Sequence, residues 1–233
     1  MSLKIVVLAK QVPDTRNVGK DAMNADGTIN RAALPAIFNP EDLNALEQAL
    51  RLKDTHPGST VTILTIGPRS AAEIIREGLY RGADNGYLLT DRAFAGADTL
   101  ATSYAIATAI RKIGECDLII GGRQAIDGDT AQVGPQVAEK LGLSQITYTE
   151  EILNVDETAR RITVKRHIDG GVETVEGPLP IVLTVTEVQL PAVRAMPNCY
   201  RNTNALSVHR KKQPSLKTVL NCLTLNYMKN SLT

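Results

Sequence analysis

Four short apolar runs in the N-terminal half of the chain are typical of buried β-strands. They lie at residues 3–9 (LKIVVLA), 60–67 (TVTILTIG), 86–90 (GYLLT) and 116–122 (CDLIIGG). Within each run apolar residues follow one another with little alternation, as in parallel strands that are covered on both faces. The pattern therefore predicts four parallel strands.

Segments with helical periodicity separate these runs. Apolar residues recur at helical spacing in the segments 39–54, 70–83 and 98–114, which is typical of amphipathic helices. Strands that alternate with such helices are joined by right-handed crossovers. We therefore expect an α/β fold with an open, mostly parallel sheet and helices on both faces.

The starts of two helices are marked by residues that favour helix N-termini. Asn39 is placed as an N-cap before Pro40, and the acidic Glu41 and Asp42 follow in the first turn, where the helix dipole favours negative charge. Asp98 is predicted to cap the helix of the segment 98–114 in the same way.

The pattern changes after residue 142. Residues 160–185 (RRITVKRHIDGGVETVEGPLPIVLTV) predict an antiparallel hairpin with its turn at 169–171. Pro178 and Pro180 restrict the following strand to a sheet edge or to a late start, because proline cannot donate to the ladder.

These patterns give a provisional division of the chain. Residues 1–185, including a hairpin addition at 147–185, are expected to form one α/β domain. Residues 186–233 contain three prolines, scattered asparagines and a basic HRKK run, and only the segment 216–228 looks structured. We expect this segment to be a C-terminal arm or a disordered tail.

Composition argues against several classes of partner. The 26 basic and 25 acidic residues are interspersed, so no net field favours nucleic acid or an anionic membrane. Aromatic residues make up 3% with no Trp, which removes the usual stacking platforms for single strands. The N-terminal apolar run is too short for a signal peptide or a membrane span. We expect a cytoplasmic protein.

The segment 121–142 (GGRQAIDGDTAQVGPQVAEKLG) joins the fourth predicted strand to a helix that is expected to begin near Thr130. Backbone N–H groups of such a loop and of the first helical turn can hold a phosphate. Asp127 and Asp129 would repel it, so we assign them to helix capping or to a sugar hydroxyl, with Asp129 as the N-cap. A turn without a ligand is the alternative. Side chains that can add hydrogen bonds or positive charge are Arg123, Thr130 and Gln132.

Other chemistries lack their motifs. Neither a G-x-G-x-x-G fingerprint after the first strand nor a P-loop is present, and the DGD at 127–129 does not have the spacing of a calcium loop. The three histidines, His56, His167 and His209, lie far apart, and the three cysteines form no C-x-x-C pair. No metal site, catalytic residue or activated nucleophile is predicted, and the cysteines are expected to be reduced thiols.

Further candidate residues lie where predicted strands end. Ala9 and Lys10 end the first strand, residues 66–68 end the second, and Asn39 opens the first helix. The carboxyl ends of parallel strands share one edge, where open α/β sheets bind ligands. A nucleotide pocket is therefore expected there, although Lys10 as a solvated charge and Asn39 as a simple cap are the alternatives.

Five blocks of the sequence resemble the β subunit of electron transfer flavoprotein, over residues 3–185, and GRQAIDGDTAQVGP is the most specific part. The blocks are KIVVLAKQVPD, INRAALPAIFNPEDLNALEQALRLKD, GADNGYLLTDRAFAGADTLATS, GGRQAIDGDTAQVGPQVAEKLG and VKRHIDGGVETVEGPLPIVLT. The resemblance implies an adenine nucleotide α-hydrolase-like fold and a non-catalytic subunit that pairs with a larger α subunit in a heterodimer carrying FAD.

The resemblance also implies a nucleotide pocket in this subunit, with AMP in ordinary members and a second FAD in electron-bifurcating ones. The positions that match the family's adenine-nucleotide site are Leu8, Ala9, Lys10, Asn39, Pro40, Glu41, Asp42, Ile66, Gly122, Arg123, Gln124, Ala125, Ile126, Asp127, Gly128, Asp129, Thr130, Ala131, Gln132 and Val133. Arg123 and Arg166 are our hypotheses for cations that stabilise a reduced, anionic flavin.

The blocks divide between the two branches of the family. TDRAFAGADT and GDTAQVGP resemble the bifurcating branch, in which NADH supplies one electron to the α-subunit flavin and one to ferredoxin or flavodoxin. RHIDGGVET resembles the ordinary branch, which accepts electrons from acyl-CoA dehydrogenases. The alternative is a regulatory or ATP-dependent nucleotide-binding protein of the same fold without redox chemistry, although the SGGxDS signature is absent.

The C-terminal segment departs from the family. Members usually continue with a recognition loop for dehydrogenases and an arm that wraps the α subunit, whereas 186–233 matches poorly and the chain stops early. We expect an altered tail, which would affect docking to partners more than the pocket.

Overall fold

The computed structural model describes residues 2–14 and 34–186, so the predicted arm, from residue 187 onward, lies outside the described residues. The helices are α1 (Pro40–Thr55), α2 (Ala72–Arg81), α3 (Thr99–Ile113) and α4 (Val133–Leu141). The strands are β1 (Lys4–Leu8), β2 (Gln11–Pro13), β3 (Ala36–Phe38), β4 (Thr60–Ile66), β5 (Asn85–Leu89), β6 (Leu118–Gly122), β7 (Ser144–Asp156), β8 (Arg161–Ile168), β9 (Gly171–Pro178) and β10 (Ile181–Val185). Short 3₁₀ turns at Arg69–Ala71 and Arg92–Phe94 precede α2 and α3.

The strands form an 8-stranded sheet in the order β5-β4-β1-β6-β10-β7-β8-β9. The pairs from β5 through to β7 are parallel, and β7, β8 and β9 pair antiparallel. The four predicted parallel strands are confirmed as β1, β4, β5 and β6. The hairpin β8–β9 is also confirmed, and Gly170 in its turn has φ of 86°, which favours glycine.

The strand after the two prolines lies in the interior of the sheet. β10 begins at Ile181, directly after Pro180, so a late start is confirmed. A position at the sheet edge was the other alternative and is wrong, because β10 pairs in parallel with β6 and β7. Pro180 precedes the first paired residue, so no ladder hydrogen bond is lost.

The sequence pattern did not predict three of the strands. β7 carries polar residues at most positions and only three buried ones, so it lacks a continuous apolar run. β2 and β3 are each three residues long and form a small antiparallel sheet of their own. Strands this short or this polar leave no periodic trace.

Helices cover both faces of the sheet, as predicted. On one face, Leu46 and Leu50 of α1 and Ile75 of α2 pack against the sheet. On the other, Ile110 of α3 and Val137 of α4 do the same. Each large apolar side chain buried in this way contributes about 1.5–3 kcal/mol relative to an exposed one. Within the described ranges, no helix has the length and apolarity needed to cross a bilayer.

The predicted cap of α3 is confirmed. Asp98 lies at the N-cap position, and its Oδ1 accepts a hydrogen bond from the Ala101 N–H at 2.8 Å. The carboxylate thereby satisfies one of the N–H groups that have no partner within the helix.

We expect Asp98→Ala to lower the free energy of unfolding by about 0.5–2 kcal/mol, because Ala101 N–H loses its acceptor. Urea titration of the two proteins measures the difference. Glu115→Ala is the control, since this side chain lies beyond the other end of α3 and is 95% exposed; a change of under about 0.5 kcal/mol is expected there. Equal losses in both variants would contradict the capping role.

Candidate functional site

The centre of the sheet contains a topological switch point between β1 and β6. From β1 the chain proceeds through β4 to β5 on one side, and α3 then returns it to β6 on the other. Leu8 pairs with Gly121, so the carboxyl ends of the two strands lie side by side. Open α/β sheets bind ligands at such a point.

The structure brings the residues that match the family's adenine-nucleotide site to this edge of the sheet, whereas Arg166 lies in β8. Leu8 ends β1, Ala9 and Lys10 follow it, and Ile66 is the last residue of β4. Residues 39–42 begin α1, and residues 122–133 connect β6 to α4. The common edge follows from the parallel arrangement that the apolar runs predicted.

Asp42 joins the ends of β1 and β6. Its Oδ2 accepts a hydrogen bond from the Lys10 N–H at 2.8 Å, and its Oδ1 accepts one from the Gly122 N–H at 3.0 Å. Asp42 is 7% exposed. A Cβ on Gly122 would lie 2.5 Å from Asp42 Oδ1 and 2.8 Å from the Asp42 nitrogen, so the strand end approaches α1 as closely as glycine permits.

Glu41 and Asn39 bind the backbone of residues 124–126, in the loop that follows β6. Glu41 Oε2 accepts from the Gln124 N–H at 2.9 Å, and Glu41 Oε1 lies 3.0 Å from Arg123 Nη2. The fully buried Asn39 donates through Nδ2 to the Gln124 carbonyl at 2.8 Å and accepts at Oδ1 from the Ile126 N–H at 3.2 Å. The first turn of α1 therefore shapes the loop after β6.

These contacts correct the predicted role of Asn39. It occupies the N-cap position of α1, with Pro40 following as predicted, but its side chain makes no capping hydrogen bond. The amide group instead binds the loop backbone, at the Ile126 N–H and the Gln124 carbonyl. The N–H groups of Gly122, Gln124 and Ile126 are likewise engaged.

The second half of the loop corrects the predicted start of α4. The helix begins at Val133, not near Thr130, and Gln132 occupies the N-cap position without a side-chain capping bond. Asp129 and Ala131 have φ of 47° and 52°, which is incompatible with a right-handed helix. Asp129 is therefore not the N-cap, and its Oδ1 accepts a hydrogen bond from Gln124 Nε2 at 2.9 Å.

Lys10 and Asp127 form an ion pair across the mouth of the site. Lys10 Nζ lies 2.6 Å from Asp127 Oδ1, and the two side chains are 45% and 9% exposed. The pair neutralises the aspartate that the sequence suggested would repel a phosphate. Because the ammonium group is partly exposed, it remains accessible to a ligand from solvent.

A side-chain network fixes the N-terminus of α4 against that of α3. Thr99 Oγ1 donates to Gln132 Oε1 at 2.8 Å, and Ser103 Oγ donates to Gln136 Oε1 at 3.1 Å. The starts of both helices thus lie together at the ligand-binding edge. Sequence reasoning missed this network, because neither glutamine stands in a motif with the α3 residues.

A second group of residues is aligned across the neighbouring strands through backbone pairing. The Arg123 N–H donates to the Val185 carbonyl at 2.8 Å, Val185 is the register partner of Thr149, and Thr149 is the register partner of Arg166. We call Arg123, Thr149 and Arg166 the arginine row. The Arg123 guanidinium lies 5.6 Å from the ring centroid of Tyr148.

The arginine row contains unsatisfied polar atoms. In the part of the chain that the structure describes, the buried side-chain atoms without a hydrogen-bond partner are Thr65 Oγ1, Arg123 Nε, Thr149 Oγ1 and Arg166 Nε. Three of these belong to the row. The hydrogen bond to Glu41 raises the pKa of Arg123 above its ordinary value, so the guanidinium stays charged. Unsatisfied buried groups are uncommon and point to a missing partner.

Sequence reasoning found the two arginines but missed Thr149 and Tyr148. Tyr148 has φ of 56°, and the register of β7 shifts on both sides of Thr149. Because β7 was not predicted, nothing in the sequence placed these residues beside Arg123. Among the described residues, no group of three His, Cys, Asp or Glu side chains is arranged to hold a metal.

Comparison with known proteins identifies the family. The profile of the electron transfer flavoprotein domain matches residues 26–210, which extends past the segment on which the resemblance was based. Protein FixA of Azorhizobium caulinodans is 51% identical over 189 residues, covering 79% of this chain and 66% of FixA. The caffeyl-CoA reductase-Etf complex subunit CarD of Acetobacterium woodii is 50% identical over 182 residues, covering 78% of this chain and 68% of CarD.

A third relative is named as a β subunit of electron transfer flavoprotein. The electron transfer flavoprotein subunit beta of Clostridium acetobutylicum is 48% identical over 190 residues, covering 81% of this chain and 71% of that protein. The matches thus span about two thirds of the length of these relatives. The chain belongs to the electron transfer flavoprotein domain family.

Proposed function

We propose that this chain is the β subunit of a heterodimeric electron transfer flavoprotein and binds an adenine nucleotide at the switch point. The observation that carries the proposal is the site itself, in which the end of β1, the first turn of α1 and the loop 122–133 converge at the carboxyl edge of a parallel sheet. Membership of the family and the β-subunit relative support it.

The residues that would hold the phosphate lie in the second half of the loop. The amides of Gly122, Gln124 and Ile126 already donate to α1 side chains. We therefore assign the phosphate to the backbone N–H groups at 130–133, to the Thr130 hydroxyl and to Lys10. The start of α4 adds the positive end of a helix dipole and has no capping side chain of its own.

The adenosine part would lie against the ends of β1 and β4. Leu8, Ala9 and Ile66 are the residues that we assign to this contact, and all three are buried or partly buried. Apolar strand ends of this kind suit a flat base. The nucleotide is AMP or the adenine half of a second FAD, and the residues on this edge fit either.

The arginine row supports a role beside a flavin. The two guanidinium groups pair with Glu41 and Glu173, but Arg123 Nε, Arg166 Nε and Thr149 Oγ1 are buried without a partner and fit an electron-rich acceptor. A reduced flavin ring is such an acceptor, and its anionic form would be stabilised by Arg123 and Arg166. When bound, the flavin supplies the one-electron and two-electron chemistry, whereas this chain supplies binding, orientation and charge.

The expected partners follow from the family and from the relatives' names. We propose that its partners are an α subunit and a flavoenzyme such as an acyl-CoA dehydrogenase. CarD and the acryloyl-CoA reductase electron transfer subunit gamma of Anaerotignum propionicum are named as parts of reductases of CoA thioesters. They favour a partner of that class. For the bifurcating case we propose NADH as donor and ferredoxin or flavodoxin as second acceptor.

Cofactor content tests the proposal. The chain is co-purified with its α subunit, denatured, and the released FAD and AMP are counted per heterodimer, with the α subunit alone as control. Two FAD would support bifurcation, and one FAD with one AMP would support the ordinary branch. Nucleotide without flavin would favour a regulator of the same fold, and a heterodimer without either would contradict the proposal.

A further inference from the structure

Asp42 has an unusual position among the acidic residues that begin helices. It is buried in the first turn of α1, and its two carboxylate oxygens accept hydrogen bonds from two separate strand ends, at Lys10 and Gly122. An acidic residue that serves only the helix dipole would instead face solvent or its own N-terminal amides. Asp42 therefore connects three elements of the site.

The geometry favours a carboxylate. Both oxygens face N–H donors, at 2.8 Å and 3.0 Å, so each must accept. An amide places an NH₂ group, which cannot accept, opposite one of the two N–H groups, and a protonated acid leaves a hydroxyl oxygen there, which is a weaker acceptor than a carboxylate oxygen. Gly122 approaches the backbone of α1 so closely that a Cβ there would lie 2.5 Å from Asp42 Oδ1.

Resting on the proposed function, we propose that Asp42 is a positioning residue for the nucleotide, which holds Lys10 and the loop 122–133 at the separation that binding requires and does so only as a carboxylate. Lys10 follows β1 and the loop follows β6, so loss of either hydrogen bond lets one wall of the site move away from the other. Asp42 itself need not contact the ligand.

The protonation of Asp42 supports this role. Burial raises its pKa to about 7, against hydrogen bonds from the Lys10 N–H, the Asn39 side chain and the Gly122 N–H that lower it, and the charge of Glu41 adds to the rise. The other charges around it are Arg123, which is paired with Glu41, and the Lys10–Asp127 pair. The carboxylate fraction therefore falls as the pH drops through about 7.

Binding and stability then respond to pH in opposite directions. The folded pKa lies above the ordinary value of 3.8, so the folded state takes up the proton more readily than the unfolded state. Proton uptake by Asp42 therefore stabilises the folded state at low pH, and this contribution is lost as the pH rises towards 7. Nucleotide affinity instead rises over the upper part of this range, because only the carboxylate holds both strand ends.

The affinity of the full chain for AMP tests the inference. The chain is freed of nucleotide with its α subunit, and AMP binding is measured by calorimetry at pH 6.5 and 8. If binding needs the carboxylate, the affinity of the wild type for AMP falls by about fourfold between pH 8 and 6.5, in addition to the change caused by titration of the AMP phosphate. Asp42→Asn is expected to bind AMP at least about tenfold more weakly at pH 8 and not to show this additional fourfold loss.

Glu47→Gln is the matched control, because Glu47 is also acidic, buried and on α1 but pairs with Arg51. It should keep wild-type affinity and pH dependence. The AMP phosphate titrates alike in all variants, so only differences between variants count. Wild-type affinity and pH dependence in Asp42→Asn would overturn the inference while leaving the proposed function intact; absence of nucleotide binding by the wild type would overturn the proposed function as well.

A measurement on the wild type covers the case in which Asp42→Asn fails to fold. The backbone amide resonances of Lys10 and Gly122 should shift together with pH, with a common midpoint near 7. The Asp129 amide, which donates to the Ala125 carbonyl instead, serves as the reference. Lys10 and Gly122 amides that do not respond to pH between 6 and 8 would overturn the inference.

Discussion

Replacing Gly122 with alanine is expected to separate α1 from the end of β6 and to abolish nucleotide retention. The added Cβ would lie 2.5 Å from Asp42 Oδ1 and 2.8 Å from both the Asp42 nitrogen and the Glu41 carbonyl carbon. Two of these are backbone atoms, which cannot rotate away as a side chain can. Overpacking of this kind costs about 1–3 kcal/mol, and displacement of α1 also breaks the bonds that shape the loop.

The measurements for Gly122→Ala are the thermal unfolding midpoint and the nucleotide released on denaturation. Gly128→Ala is the control in the same loop, because a Cβ there meets no atom within 4 Å. Its free energy of unfolding should lie within about 0.5 kcal/mol of that of the wild type, so its thermal midpoint should be close to the wild-type value. If Gly122→Ala keeps both the wild-type midpoint and its nucleotide, the contact between α1 and β6 is not as close as described.

Replacing Ile119 with alanine is expected to lower the free energy of unfolding by about 2–5 kcal/mol. Ile119 is fully buried in β6, with Val6 on one side and Val182 on the other as register partners. It belongs to the apolar cluster beneath α3 and α4. Because domains of this size are stable by only about 5–15 kcal/mol, the loss is a large fraction of the total.

Urea titration measures this loss as a lower midpoint with an unchanged slope. Leu100→Ala removes the same number of carbon atoms from a side chain that is 57% exposed, and it should cost under about 0.5 kcal/mol. Similar midpoints for the two variants would contradict the position of Ile119 at the centre of the core.

The parallel half of the fold could be predicted because its strands are buried on both faces. Continuous apolar runs such as that of β6, separated by helical periodicity, predict neighbours in one sheet. The position of β10 could not be predicted in this way. Its five buried residues fit any covered strand, and its place between β6 and β7 is decided by pairing with residues far away in the chain.

The edge that carries the candidate site could also be predicted, since the carboxyl ends of parallel strands meet there. The contacts within it could not. Local rules assign Asn39 and Asp129 to helix caps, and both assignments failed because tertiary contacts or left-handed backbone compete with capping. The role of Asp42 is hidden for the same reason, as a first-turn aspartate already has a local explanation.

The position of β10 has a consequence for the order of events during synthesis. Its partner β6 ends at Gly122, but β10 is complete only at Val185. While the ribosome makes the intervening residues, the central strand of the nascent sheet has one open edge, which is a surface that can pair with another chain. This edge of β6 is covered only when β10, the last strand of the described residues, has been made.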